Sequence, residues 1–448
     1  MKKIYFMALA LAGLSFSNAQ FWQDQATNWN TSWGVDEISI ANETTAWTFA
    51  YDGTGGGVYP HDLAVTTDGG TTWNAINASA LPSNALISDI AAIDGNTAFI
   101  TTAPFAAGAG ANGIWKTTDG GATWVSQPSF GSSSDTFANQ IYFWDANNGF
   151  AAGDPVNGKF DMYKTSDGGA TWTAVAGAPA PLGGQGGEFS YVGVKDVVGD
   201  NIWLGTDIGR LLRSNDRGAS WEAFFSPVLD FGGVTTANST GSFAFADANN
   251  GLLIAVDNST DAVLYRTTDG GENWEEVIAS GTWYFGDIAY VPGTVDTYVS
   301  TGINSSSEGF MGSSYSTDGG ATWIEIDTGA QRGAVEFFNG TTGWAGQFSD
   351  GPGGAAGILK FEGDLSDLAV TDVNAQSNLQ AYPNPSSNVI NFAANKEIAK
   401  ITLRDMTGKI ISRTEGTKVN VSSLPAGVYV AQVLYKNNGV ENIKVVVK

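Results

Sequence analysis

Apolar residues in this chain come in short runs, each introduced by a polar turn. The segments "DANNGFAAG" (145–153), "GDNIWLGTD" (199–207), "DANNGLLIA" (247–255) and "GTTGWAGQF" (340–348) each read as a tight turn leading into a strand. A second kind of turn follows each of the first three and also recurs elsewhere. It is written "TTDGGTTW" (66–73), "TTDGGATW" (117–124), "TSDGGATW" (165–172), "SNDRGASW" (214–221), "TTDGGENW" (267–274) and "STDGGATW" (316–323). Long helix-forming runs are few, and 58 Gly, 15 Trp and 14 Tyr suit short strands joined by tight turns. The pattern predicts an all-β chain.

The tryptophans of the six boxes lie 51, 48, 49, 53 and 49 residues apart. A repeat of that length holds four strands and their turns, one blade of a β-propeller. Half-repeats beginning near Asp36, Asp89, Gln140, Gly193, Ser242, Asp287 and Ala334 give seven units. The seventh stops at "GILKFEG" (357–363), one strand short, and the aromatic segment "FWQDQATNWNTSW" (21–33) can supply the missing outer strand. A ring closed from both ends leaves no long free edge. The expected organisation is a leader at 1–19, a seven-bladed propeller at 20–363, a linker at 364–380 and a small β-sandwich at 381–448.

Within each box, Asp-Gly-Gly between two strands is a hairpin signal. The glycines accept positive φ, and the carboxylate accepts hydrogen bonds from the turn. The flanking hydroxyls satisfy further polar groups, and the tryptophan packs beneath the hairpin. This assigns a structural role to Asp68, Asp119, Asp167, Asp216, Asp269 and Asp318, and to Trp73, Trp124, Trp172, Trp221, Trp274 and Trp323. Two copies depart from the pattern, with Arg217 for the first glycine and Asn273 for the hydroxyl residue. Neither change breaks the turn rule. The motif S/T-x-D-x-G-x-S/T-W resembles the Asp-box, or BNR, repeat of sialidase-like, sortilin-like and photosystem-assembly-factor-like propellers. The resemblance implies that the boxes sit on the outer rim, away from the central pocket.

Residues 1–19 read as a signal peptide: Lys2 and Lys3, an apolar Ile4–Phe16, then Ser17-Asn18-Ala19. No later apolar stretch reaches the length of a membrane-spanning helix. The chain has no cysteine, which excludes a disulfide framework and a zinc-thiolate site. Without the leader it carries 19 basic and 45 acidic residues, unevenly divided: 10 against 41 in residues 20–374, and 9 against 4 in residues 375–448. A field of that sign repels phosphate backbones, so nucleic acid is excluded as a partner of the large region.

No catalytic set emerges from the residues. A sialidase-like site needs three arginines from different blades, whereas only Arg210 and Arg332 lie away from the boxes and their flanks. His61 is the sole histidine, which leaves serine-triad chemistry without support. The "DANNG" turns lack the ligand spacing of a calcium loop, so no cofactor or metal is assigned; calcium finds no support. A two-carboxylate glycoside hydrolase acting on a neutral polysaccharide stays open, although Asp-box xyloglucanases place their site between two tandem propellers and this chain has room for one. The propeller mouth is left. Glu37, Asp89 and Asp287 begin inner strands on the side away from the blade core. Trp283 and Tyr284 precede Asp287, and Phe189 and Tyr191 sit in another long loop. Aromatics beside acids suit a neutral glycan or a basic peptide, so the expected role is a non-catalytic binding or scaffold module for a glycan or protein ligand.

The C-terminal region reads, over 382–392, 401–411, 419–435 and 442–448, as short alternating strands divided by Pro-Asn-Pro, Thr-Gly-Lys, Pro-Ala-Gly and Asn-Asn-Gly turns. Its Tyr-Pro-Asn-Pro opening, the Gly408-Lys409 turn, "LPAGVY" (424–429) and the basic last strand resemble the type A C-terminal sorting domain of the type IX secretion system. That resemblance implies recognition of residues 381–448 by the translocon and its outer-membrane shuttle. Passage across the outer membrane, removal of the domain, and release or surface anchoring would follow.

Overall fold

The computed structural model describes residues 21–105, 111–127, 137–184, 187–232, 240–258, 261–303, 311–366, 379–394, 396–405, 409–436 and 440–448. The leader at 1–19, most of the expected linker and Gly408 lie outside these residues. The chain divides into two compact units, Met1–Ala369 and Val370–Lys448. Among the described residues no helix is long and apolar enough to cross a membrane.

The first unit is a ring of seven four-stranded antiparallel sheets. Their innermost strands are Trp33–Asn42, Ala85–Ala92, Ala138–Phe143, Ser190–Val198, Thr240–Phe245, Asp287–Tyr290 and Val335–Asn339, which number the blades one to seven. The ring closes as the alternation predicts. Trp22–Ala26 pairs antiparallel with Gly357–Phe361, Trp22 opposite Phe361 and Ala26 opposite Gly357. Trp22 is buried against Phe337 and Phe361, and its indole N–H donates to Ser313 Oγ at 2.8 Å. Leu365 extends the propeller beyond Gly363: it is fully buried in blade seven, and its amide bonds Gly340 O at 2.8 Å.

Apolar side chains gather between blades. Trp47, Phe49 and Leu63 of blade one pack with Ile87, Ile90 and Trp124 of blade two, and the same arrangement recurs round the ring. Burying large side chains in these seams is the main term holding a ring without disulfides.

The second unit holds a three-stranded sheet (Gln380–Tyr382, Val389–Ala393, Lys418–Asn420) and a four-stranded sheet ordered Ile410–Glu415, Ile398–Arg404, Gly427–Tyr435, Val440–Val447. Ile390, Ile401, Leu403, Val433 and Val445 fill the core between them. The run at 401–411, with its expected Gly408-Lys409 turn, forms two strands: past Arg404, Asp405 N–H donates to Lys409 O, and Lys409 N–H to Asp405 Oδ1, both at 3.1 Å. The segment at 419–435 likewise divides, into Lys418–Asn420 and Gly427–Tyr435. The Tyr-Pro-Asn-Pro stretch covers the edge of the last strand. Asn384 Nδ2 donates to Lys444 O at 2.9 Å, and its Oδ1 accepts from Val446 N–H at 2.8 Å.

Candidate functional site: the propeller mouth and its axial channel

In a four-stranded meander the turns joining strands one to two and three to four lie at one edge. The turns joining two to three, and each blade to the next, lie at the other. The boxes occupy the three-to-four turns, so they share the first edge; the second edge is the mouth.

At the box edge the hydrogen bonding repeats from blade to blade. Asp119 Oδ1 accepts from Thr117 Oγ1 and the Thr123 amide, both at 2.9 Å, and Oδ2 accepts from Thr123 Oγ1 at 2.6 Å. Asp68, Asp167, Asp216, Asp269 and Asp318 make the same set. Arg217 takes its glycine's place at φ 56°, and Asn273 Nδ2 substitutes for the hydroxyl at 2.8 Å. The tryptophans reach further than their own hairpins. Trp73 meets Trp344 of blade seven edge-on, Trp124 meets Trp47 of blade one, and Trp221 leans on Phe150 of blade three. A cation just before the box was not singled out in the sequence and belongs to the same joint. Lys116 donates to Gly168 O at 2.9 Å, Lys164 to Asp216 O at 3.4 Å and Arg213 to Asp269 O at 2.8 Å, each in the box of the next blade. Its signal was the Lys or Arg preceding the Ser/Thr at 116, 164, 213 and 266.

Seven inner strands surround an axial cavity of about 220 Å³ lined by Asp36, Glu37, Lys195, Asp196, Asp287 and Glu336 among others. Glu37 and Asp287 lie on it. Asp89 approaches it through Lys195, whose ammonium bonds Glu37 Oε1 and, at 2.6 Å, Asp89 Oδ1. Asp89, Asp196 and Asp287 perform one task. Each accepts the amide of the residue that follows it, from Ile90 at 2.6 Å, Val197 at 2.7 Å and Ile288 at 2.8 Å. Each also accepts an amide from the next blade's inner strand, from Ile141 at 2.7 Å, Phe245 at 2.5 Å and Val335 at 3.0 Å. These carboxylates fasten blades two to three, four to five, and six to seven.

Confinement among the inner strands pushes Asp196 up to about 7 and Asp287 up to about 6, against the amides that pull both down. Glu336 rises to about 8, through confinement first and then through Asp196 and Asp287. Glu336 is exposed toward the cavity but ringed by protein, so screening is weaker than at an open surface. Lys195 is shifted upward: burial would lower it, and Asp89 and Glu37 overcome that. Sequence reasoning placed Gly193 and Ala334 at the inner positions of blades four and seven and missed Lys195, Asp196 and Glu336. In blade four the register shifts between Ser190 and Lys195, and a shift of one residue exchanges the faces of a strand.

The groups considered for catalysis are engaged elsewhere. Arg210 pairs with buried Glu188 through Nε at 2.9 Å and through Nη2, Arg332 pairs with Asp327, and His61 Nε2 meets Ala85 O at 2.8 Å.

Trp283 and Tyr284 do not stand at the mouth. Ser280 binds the box of blade six, its amide to Ala321 O at 3.0 Å and its carbonyl to the Trp323 amide at 2.8 Å, and this carries the segment outward. Trp283 stacks on Trp323 with centroids 6.3 Å apart. Tyr284 is 1% exposed, with its hydroxyl on Asp327 O at 3.1 Å. Both are seam residues. Aromatics described at the mouth edge include Tyr51, Tyr59 and Phe105, and Phe189 with Tyr191. Tyr59 and Phe105 stack at 4.4 Å and stay 45% and 41% exposed. Between blades three and four, Phe137, Phe189, Tyr191 and Val192 wall a cleft of about 290 Å³. Its polar floor is Asn139, whose Nδ2 donates to Asp154 Oδ1 at 2.8 Å and Ser190 O at 2.7 Å. Burial first, and Asp207 after it, push Asp154 up to about 6 against the Asn139 bond.

The family model of the secretion system C-terminal sorting domain matches residues 380–448. These residues are a type IX sorting domain. The chain is therefore a propeller cargo exported by that system to the cell surface or the medium. The propeller is similar in fold to YCF48 bound to D1 peptide, at TM-score 0.51 and 18% identity over 77% of this chain and 97% of that one. YCF48 from Cyanidioschyzon merolae gives TM-score 0.50 and 16% identity over 76% and 98%. In sequence, 175 residues are 28% identical to the xyloglucanase Xgh74A of Acetivibrio thermocellus, covering 31% of this chain. The match spans 20% of that enzyme's length.

Proposed function

We propose that, once exported, the propeller acts as a non-catalytic binding module that seats a glycan or protein ligand across the mouth edge. The observation that carries this reading is the aromatic-walled cleft of blades three and four. Phe189 is left 36% exposed beside a satisfied polar floor, whereas Asp89, Asp196 and Asp287 are each engaged by two amides. Exposed rings give a flat apolar face for a sugar ring or a side chain, and a carboxylate at the floor orients polar groups.

A second reading, a glycoside hydrolase acting on a neutral polysaccharide, is favoured by Glu336. A carboxyl raised to about 8 holds its proton at neutral pH, as a general acid must, and part of the chain is similar to a xyloglucanase. The test is a panel of neutral polysaccharides, xyloglucan included, and of peptides, scored for retention and for new reducing ends. The binding reading expects retention that Phe189→Ala abolishes and no reducing ends. Reducing ends that disappear in Glu336→Gln would establish the hydrolase instead.

A further inference from the structure

The central strand of the sorting domain, Gly427–Tyr435, is written "GVYVAQVLY". Its inward residues Tyr429, Ala431, Val433 and Tyr435 are buried in the domain core. A sheet with solvent on its other face alternates apolar with polar residues; a strand apolar on both sides is one covered on both sides. Here the outward positions are Val428, Val430 and Leu434, all partly exposed, with Gln432 the only polar residue among them.

Strand pairing defines what surrounds this ridge, because residues directly opposite share a face. Val428 lies opposite Val446, which lengthens the ridge. Val430 lies between Arg404 and Lys444, and Leu434 lies opposite Lys400. One strand further out, Arg413 stands opposite Thr402 on the same face. Four of the nine basic residues of residues 375–448 thus border one apolar ridge, and Glu415, opposite Lys400, is the acid described beside them.

We propose that this sheet face is the docking surface by which the export apparatus holds the sorting domain, and that its partner is a protein surface with an apolar centre and an acidic rim. The proposal rests on the sorting-domain assignment and adds the face, the residues and the partner's chemistry. A second copy of the domain does not fit, since facing copies would bring Lys400, Arg404, Arg413 and Lys444 against their equals. A polyanion would meet the basic border without needing the ridge. An apolar, acid-rimmed protein satisfies both, with the ridge supplying contact area and the border setting orientation and encounter rate.

The test uses the full-length chain in cells that export it. Arg413→Glu with Lys444→Glu reverses two exposed charges and leaves the core untouched. Lys418→Glu with Lys436→Glu makes the same charge change elsewhere in the domain. The first pair should lower the exported fraction roughly tenfold, with precursor accumulating in the periplasm, and the second should change it less than about twofold. Val430→Ser and the neutral pair Arg413→Gln with Lys444→Gln should give intermediate losses. Trypsin resistance of the retained precursor shows whether each variant is folded, and the neutral pair decides the matter if the reversed pair is not. Unchanged export of the folded ridge and border variants overturns the proposal, as does an equal loss in the control pair. Loss of wild-type binding to phosphatidylglycerol vesicles in the reversed pair, with Val430→Ser exported normally, would assign the face to an anionic surface instead. Normal export of a chain lacking residues 380–448 would refute the sorting assignment itself, a separate outcome.

Discussion

The box glycines look equivalent in sequence, but Gly120 of blade two and Gly169 of blade three carry different burdens, and this can be measured. Gly120 has φ 72°, and a Cβ built on it would meet nothing nearer than Gly95 O at 3.6 Å. Its replacement by alanine costs only the left-handed backbone, about 1–2 kcal/mol. Gly169 has φ 83°, and its Cβ would stand 2.8 Å from Phe99 Cε1 of the preceding blade. Phe99 cannot give way: it is 0% exposed and its ring stacks on Phe143 with centroids 4.0 Å apart. Overpacking of that kind adds about 1–3 kcal/mol, so Gly169→Ala should cost about 2–5 kcal/mol in all. Urea unfolding of the purified protein, comparing midpoints at unchanged slope, measures both. A third variant, Gly120→Arg, copies the residue that blade four carries as Arg217 at φ 56°, and should cost no more than Gly120→Ala. Equal losses at Gly120 and Gly169 would show that the second glycine is not where one blade docks on the next, and the account of the box as a joint would fail.

Trp124→Ala removes a ring that is 5% exposed and set edge-on against Trp47, and should cost about 3–5 kcal/mol in the same assay. Tyr284→Ala should destabilise the propeller while leaving any mouth ligand bound, and Phe189→Ala should do the reverse; isothermal titration beside melting curves separates the two. Stability should depend on pH with a maximum between about pH 4 and 6. Asp196 and Asp287 are raised in the folded state, so their contribution is present below about pH 4 and is lost as pH rises through about 6 to 7. Asp119 and Asp167 are lowered, by the hydroxyls of Thr123 and Thr171 first, so their contribution is lost as pH falls below about 4. A melting temperature that peaks at pH 8 would contradict this assignment. A chain stopped after Asp372 should keep its melting temperature for the propeller but collect in the periplasm; fractionation and blotting read the result.

Much of this molecule was legible in its sequence because the informative features are local. Positive-φ glycines, a carboxylate four residues before an amide it accepts, and alternation of period two are set within a dozen residues. Repeated at one interval, they specify the number of blades. The closing strand was legible for a related reason: an unmatched alternating segment at one end and a missing strand at the other leave one way to pair every edge. The sorting domain announced itself through short motifs that turn or cap particular strands. The channel was not legible. Which side chain of an inner strand faces the axis depends on the register with its neighbour, and the shift between Ser190 and Lys195 brings Lys195 and Asp196 to the axis, which no local rule marks. Tyr284 was misplaced for a different reason: a hydroxyl partner 43 residues away, at Asp327, decides whether the ring faces water or core. Likewise Asp89 and Asp287 read as acids at a mouth, and only their neighbours' amides make them fasteners. A residue's type and its strand come from local chemistry, whereas its facing and its partner come from the packing of segments distant in the chain.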